Sequence, residues 1–354
     1  MALRWQYPLE LASAGEIGMG KADALDRFQR RHRWAGLPLA VVYKYNEDQG
    51  NYLAALITFY GFLSVFPLLL LLVTVLGYAL HGNADLQQQV LTSAVAQFPV
   101  IGDQLASNIH SLHGNLLALI VGLLGSVYGG LGVAQAAQNA MNKIWGVPRH
   151  ARPNAIKSRG ISLLLLLVIG GGLLLTTVLS ALSTAAQAYG ANLGAGSRLL
   201  TSVAAVVVNA LLFIFAFRVL TAREISTRQV RDGAIAAAIT WQLLQVIGTY
   251  AIGHALKRAS ATYGVFGLVL GLITCIYLGA VTVLLCAELN VVRARNFWPR
   301  SLMTPFSDDT ELTAGDRRAY ASYPATEQHK EFQNVEVDLD QPDAPESHKP
   351  TAEP

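Results

Sequence analysis

A helix needs about 20 predominantly apolar residues to cross the hydrocarbon core of a bilayer. This chain contains six such runs: Leu53–Leu80, Leu116–Ala137, Ile161–Leu182, Leu199–Leu220, Ala234–Ile252 and Tyr263–Ala287. The fifth is the weakest, because it carries Trp241, Gln242 and Gln245. Backbone N–H and C=O groups in lipid must be satisfied inside their own segment, so the runs are expected to be helices and not open strands. The expected fold is all-α: a polytopic membrane helix bundle of six transmembrane helices with amphipathic helices at the interface. Composition agrees. Only 14% of the 354 residues are charged and 53% are hydrophobic, against roughly 25% charged in soluble domains. A water-soluble enzyme, a collagen-like chain and a disordered chain are all disfavoured.

The net charge of +3 is a balance of two unlike regions. Residues 301–354 hold 12 acidic and 4 basic residues, and residues 1–300 hold the other 11 acids and 22 bases. The body is therefore basic (+11) and the tail acidic (−8). Within the body, 18 bases fall in four segments, residues 1–52, 138–160, 221–233 and 293–300. Only Arg198, Lys257 and Arg258 lie in the intervening connections. Basic residues mark cytoplasmic segments, so both termini are expected in the cytoplasm. The first span is expected to serve as an uncleaved insertion signal, since the first 50 residues lack an apolar core. The expected division is a cytoplasmic N-terminal segment 1–52, a six-span domain 53–292 and a disordered acidic cytoplasmic tail 293–354. Six of the 13 prolines fall within 301–354, where no apolar periodicity is found.

Residues 22–34 set Leu25, Phe28 and Trp34 among Arg27, Arg30, Arg31 and Arg33. This suits either a basic helix lying on an anionic lipid surface or an exposed helix whose bases only set topology. In connection 81–115, Ile101, Leu105, Ile109 and Leu112 share one helical face, so a folded-back helix is expected there.

The chemistry of a metallohydrolase, protease or ATP-driven pump leaves recognisable patterns, and none occurs. His110 and His113 are the only close histidine pair, short of the three or four ligands of a metal site. HExxH, GxSxG and GxxxxGK[ST] are missing. Cys275 and Cys286, 11 residues apart on one helix, lie about 16 Å apart, too far for a disulfide. No catalytic residue, metal or cofactor is expected. The spread of bases along separate membrane-flanking segments is what topology demands, so no nucleic-acid partner is expected either; the expected partners are membrane lipids, with further copies or envelope proteins left open.

Polar residues in or at the ends of spans are costly and carry more information. Arg218 and Glu288 fall at similar depth, at the inner ends of the fourth and sixth spans, and an ion pair between them is one expectation. A snorkelling arginine and an interfacial glutamate are the other. Pro67, after Ser64, lies within the first span and frees a carbonyl one turn earlier; it is either a packing kink or an opening beside a substrate path. Gln135, Gln138, Asn139 and Asn142 recur at i, i+3, i+4, i+7, a polar stripe that either lines a cleft or bonds between helices. Trp241 and Asn290 join these as candidates. Gly264, Gly267 and Gly271 open the last span and suit close helix packing, within or between copies.

Several stretches, taken in order, resemble the YihY/BrkB family of bacterial inner-membrane proteins. They are Ala54-Ala55-Leu56-Ile57-Thr58-Phe59-Tyr60 followed by Leu63-Ser64-Val65-Phe66-Pro67; Asn142-Lys143-Ile144-Trp145-Gly146-Val147; Asp232-Gly233-Ala234 with Trp241; Tyr263-Gly264-Val265-Phe266-Gly267; and Ala287-Glu288-Leu289-Asn290. Cys286 stands where the family usually has glycine. The likeness covers about residues 25–295 and excludes the acidic tail. It implies an envelope-integrity or serum-resistance protein of a family whose members have been proposed to move lipids and have also been labelled ribonuclease BN. The leading expectation is a transporter or flippase of lipid or lipid-linked precursor; the alternatives are a non-transporting envelope protein and, last, a membrane ribonuclease.

Overall fold

The computed structural model of the chain describes residues 16–79, 116–188, 195–259, 264–304, 312–335, 337 and 339. Over these it is helical: α1 (Glu16–Arg31), α2 (Arg33–Glu47), α3 (Gly50–Ala79), α4 (Leu116–Ile144), α5 (Ala155–Ala188), α6 (Ala195–Leu220), α7 (Thr227–Ala259), α8 (Gly264–Ala294) and α9 (Ala314–Thr326). A single 3₁₀ turn, Arg149–Ala151, interrupts the α4–α5 connection. Each of the six apolar runs falls on one of α3 to α8. Among the described residues, three stretches are long and apolar enough to cross a membrane: Ile120–Ile144, Ala155–Gly172 and Val269–Ala294; Gly50–Val65 and Ala205–Leu220 are shorter apolar ones. The folded-back helix expected in 81–115, with His110 and His113, lies outside the described residues.

Large apolar side chains cover the outside of the bundle. Leu117, Val121, Leu124 and Tyr128 of α4, Leu167 of α5, Leu211 of α6 and Leu243, Val246 and Ile247 of α7 are all exposed. A water-facing surface would not carry so much contiguous apolar area; a lipid-facing one must.

The helices pack through small residues. α3 lies along α4, α8 against α7, α3 and α2, and α6 against α7. On α4, Gly125, Gly129 and Gly132 form one face at i, i+4, i+7, turned on α3. A Cβ at Gly125 would sit 2.7 Å from Pro67 Cβ, and one at Gly129 would sit 2.5 Å from Ser64 Cβ. A Cβ at Gly132 would run into the Tyr60 ring. The α3–α4 contact is thus a close approach of backbones that only glycine allows. α3 continues through Pro67 from Gly50 to Ala79.

Two segments differ from the sequence expectation. Residues 33–47 are no peripheral lead-in: α2 buries Ala40, Val41, Lys44 and Tyr45 against α8. The expected disorder of 293–354 does not hold over 312–335. Thr313 caps α9 in a reciprocal capping box with Asp316, and Asp316 and Ala319 are fully buried. Composition misses this helix because one buried ion and one buried alanine, not an apolar stripe, hold it in place.

Candidate functional site

One end of the bundle gathers the basic residues. The C-terminal ends of α2, α4, α6 and α8 meet there with the starts of α3, α5 and α7. α4 ends in a Schellman motif: the Val147 N–H donates to the Asn142 carbonyl at 2.8 Å and the Gly146 N–H to the Lys143 carbonyl at 2.9 Å. Gly146 takes φ +59°, the left-handed conformation glycine adopts without a Cβ penalty. α8 ends with Asn296 at φ 54° and a Phe297 N–H bond to the Val292 carbonyl at 3.0 Å.

A cavity of about 1310 Å³ opens at this end, between the inner parts of α4, α5 and α6 and the α6–α7 connection. Gln138, Lys157, Arg218, Arg223 and Glu224 supply its polar lining; Ile161, Leu211, Ile214 and Phe215 supply its apolar lining. Three cations face one anion across an apolar flank, the lining that suits a molecule with an anionic head and an apolar body. Arg218 is exposed here. Its Nε donates to the Ile225 carbonyl at 3.0 Å and its Nη1 to Thr227 Oγ1 at 3.3 Å, bonds that hold the guanidinium at the rim.

The expected Arg218–Glu288 pair does not form. Glu288 is fully buried and its cation is Lys44, whose Nζ is 3.7 Å from Glu288 Oε2. The physical reason is that α2 packs on α8 and carries Lys44 into the core, while Arg218 turns to the α6–α7 connection. Lys44 also forms a contact ion pair with Asp48 one turn on and lies 5.3 Å from the Tyr323 ring.

A second buried network adjoins it. Arg300 is fully buried. It forks onto Glu47, with Nη2–Oε1 at 2.5 Å and Nη1–Oε2 at 3.2 Å, and its Nε donates to Asp316 Oδ1 at 2.5 Å. The Tyr320 and Tyr43 rings flank it at 5.3 and 6.0 Å. Asp316 also accepts from the Ser301 and Thr313 N–H groups, both at 3.0 Å. The Tyr323 hydroxyl donates to Glu47; burial, then the Glu47 charge and this bond, push its pKa far above the ordinary tyrosine value.

The polar stripe on α4 divides. Gln138 and Asn142 are buried, Gln135 and Asn139 exposed. Gln138 Nε2 donates to Ser162 Oγ at 2.8 Å and its Oε1 accepts from Ser158 Oγ at 2.9 Å, stitching α4 to α5. Asn142 Oδ1 accepts from the Ala222 N–H at 2.7 Å, fixing the α6–α7 connection. Asn139 Oδ1 accepts from Arg152 at 3.2 Å. Asn290 does for α7 what Asn142 does for α6: its Oδ1 accepts from the Gly233 N–H at 2.7 Å. A Cβ on Gly233 would strike the Cys286 carbonyl, so this glycine is required by close approach. Ser64 donates to the Gly61 carbonyl at 2.8 Å. Trp241 packs on Gly279, where an added Cβ would sit 3.2 Å from the indole. Gly267 is exposed and Gly271 half-buried; α8 starts at Gly264.

A family model described as virulence factor BrkB matches residues 41–308. The chain belongs to that family. Searches of the curated proteins and of the solved structures give no match. It is a BrkB-family membrane protein with apolar helices, as its ordered motifs imply. The matched region holds the cavity, Lys44, Asp48, Glu288 and Arg300, and it ends before α9, so Asp316 and Tyr323 dock onto the BrkB region from outside it. Sequence reasoning counted Lys44, Lys157 and Arg300 only as topology-setting bases and passed over Glu47, Asp48 and Asp316. The one local signal was the Lys44-xxx-Asp48 spacing at i, i+4. Among the described residues no group of three or more His, Cys, Asp or Glu is placed to hold a metal ion.

Proposed function

We propose that this BrkB-family protein binds and moves lipid, or a lipid-linked precursor, with an anionic head across a bacterial cytoplasmic membrane. The observation that carries the reading is the cavity of about 1310 Å³, with Lys157, Arg218 and Arg223 on its polar side and Leu211, Ile214 and Phe215 on its apolar side. In the proposed arrangement α3 to α8 are six spans and both termini are cytoplasmic. The end where the bases gather then faces the anionic cytoplasmic leaflet, which would enrich anionic heads near the cavity. Leu25 and Phe28 of α1 and Trp34 at the start of α2, exposed beside Arg27 and Arg31, extend the same lipid-facing surface. The reading assigns no catalytic residue, no cofactor and no nucleic-acid partner.

The test is reconstitution into liposomes with fluorescent phospholipids of several headgroups, a polyprenyl-linked one included. Movement is expected to favour anionic heads, and Arg218→Gln with Lys157→Gln is expected to reduce that preference. Failure to move any of these lipids refutes the reading. It would favour a non-transporting envelope protein, whose supporting observation is that Gln138, Asn139 and Asn142 are all hydrogen-bonded to neighbouring segments.

A further inference from the structure

Two buried networks sit side by side at the inner end of the bundle, and they are satisfied very differently. Asp316 accepts from Arg300 and two backbone N–H groups. Glu47 accepts from Arg300 and Tyr323. Glu288, equally buried, has no hydrogen-bond donor on either oxygen. Its nearest cation, Lys44, stands off at 3.7 Å because it is in contact with Asp48. Lys44, Asp48 and Glu288 are 2%, 5% and 0% exposed. Fully ionised, this triad would hold two carboxylates against one ammonium.

Among the described residues no second cation forms an ion pair with Asp48 or Glu288; Arg295 feels the Asp48 charge only at longer range. On α2 the facing groups are Glu47 and Tyr45, and from α9 comes Tyr323, whose hydroxyl is committed to Glu47. From α4 comes the Ile144 carbonyl, an acceptor, 3.4 Å from Lys44 Nζ. At the start of α3, Asn51 accepts from Tyr45 and from Tyr277 of α8. From the turn after α8, Arg295 donates to the Trp145 carbonyl. Asp232, near the start of α7, pairs with Arg231 and Arg293. Asn290 Oδ1 is taken by Gly233.

Asp48 and Glu288 converge on the same ammonium, Asp48 in contact with Lys44 Nζ and Glu288 Oε2 3.7 Å from it. Two carboxylates so placed repel, whereas a carboxylic acid and a carboxylate bond. An unpaired buried charge is costly, and the usual remedy is neutralisation. We propose that Asp48 and Glu288 share one proton against Lys44, which makes the α2–α8 contact a proton-binding site. The proton is carried on a carboxyl oxygen of Glu288 and donated to Asp48, whose charge Lys44 balances, so the closed triad is neutral. Separation of α2 from α8 would admit water, and Glu288 would then release the proton to it. The use of that proton to drive lipid movement rests on the transport reading; its presence does not.

The test is infrared spectroscopy of the full chain in lipid nanodiscs at neutral pH, in H2O and in D2O. The wild type should show the carbonyl stretch of a protonated carboxyl, shifted downward in D2O. Glu288→Gln should lose that band. Asp48→Asn should lose it as well, because Lys44 is then free to balance an ionised Glu288. Lys44→Met should strengthen it, since both carboxyls then take a proton. A wild-type spectrum without the band, or a band unchanged in both Glu288→Gln and Asp48→Asn, overturns the proposal. The wild-type spectrum decides whether a proton is held even where a variant fails to fold. It is independent of the liposome result, so the transport reading can fail while the proton site stands.

Discussion

Arg300→Met is the most informative single perturbation. Arg300 is fully buried, forks onto Glu47 and bonds Asp316 at 2.5 Å. Methionine keeps much of the volume, so the cavity term is small and the loss is electrostatic. It leaves the buried carboxylate of Asp316 and the half-buried one of Glu47 without their cation. Removing one partner of a buried ionic network costs about 3–5 kcal/mol. At 1.4 kcal/mol per factor of ten, that shifts the docking equilibrium of α9 by roughly two to nearly four orders of magnitude. Hydrogen exchange of the α9 amides reads this opening directly, because protection follows the local opening free energy. Protection across Ala314–Thr326 is expected to fall by that factor while α4 and α8 keep theirs. The triple variant Arg300→Met, Glu47→Gln, Asp316→Asn removes the stranded charges as well, and it is expected to recover more than half of the lost protection. The reasoning is refuted if Arg300→Met leaves α9 protection within tenfold of wild type. It is also refuted if the triple variant loses at least the sum of the single losses, for then packing and not charge holds the helix.

The same docked segment should loosen at both ends of the pH scale. Tyr323 has a raised pKa when docked, so its contribution is full below the ordinary tyrosine value of about 10 and is lost as pH rises past it. Glu327 is held below the usual carboxylate range by its bond from Arg149, with burial opposing weakly. Its contribution is present above about pH 4.3 and lost as pH falls further; proteolysis of the segment across pH should therefore pass through a minimum near neutrality, and a flat profile would refute both pairings. Gly129→Ala places a methyl 2.5 Å from Ser64 Cβ and should destabilise by about 1–3 kcal/mol, seen as a lower Tm in detergent. Gly146→Ala forces a side chain into φ +59° and should cost about 1–2 kcal/mol, with Gly146→Asn milder because asparagine tolerates that region.

The helices were legible because lipid leaves few alternatives: an apolar run of about 20 residues has only one way to satisfy its backbone. What the sequence conceals is which way a polar residue turns. Gln135 and Gln138 are three residues apart on one helix, yet the first is exposed and the second is clamped between Ser158 and Ser162. Periodicity placed them on a common stripe and could not distinguish a cleft from a seam. Arg218 and Glu288 failed as a pair for a related reason. Equal depth in the membrane says nothing about rotation about the helix axis, and the true partner of Glu288 came from α2, which at 15 residues is too short to register as a span. α9 escaped notice because its anchor is an ion pair made with Arg300, 16 residues earlier, and a single buried aspartate looks like any other acid in an acidic tail.

These placements separate two roles that the motifs had left joined. Asn142 and Asn290 each spend their side-chain carbonyl on a backbone N–H of the next element, at Ala222 and Gly233. Such bonds fix where α6 ends and how α7 lies on α8, and both asparagines are buried away from a passing headgroup. Ser64 and Pro67 are likewise spent on the glycine face of α4. A polar route through the bundle along these residues would have to break packing that the glycines exist to permit. Lys157, Arg218 and Arg223 at the cavity rim remain accessible, and α3 contributes no residue to that lining. On the proposed reading, a lipid path would run along the α4–α5–α6 side. That arrangement sets apart the effects of the two groups of substitutions: changes at the rim should alter headgroup preference with little effect on Tm, and changes at Asn142 or Asn290 should lower Tm and reduce all headgroups alike.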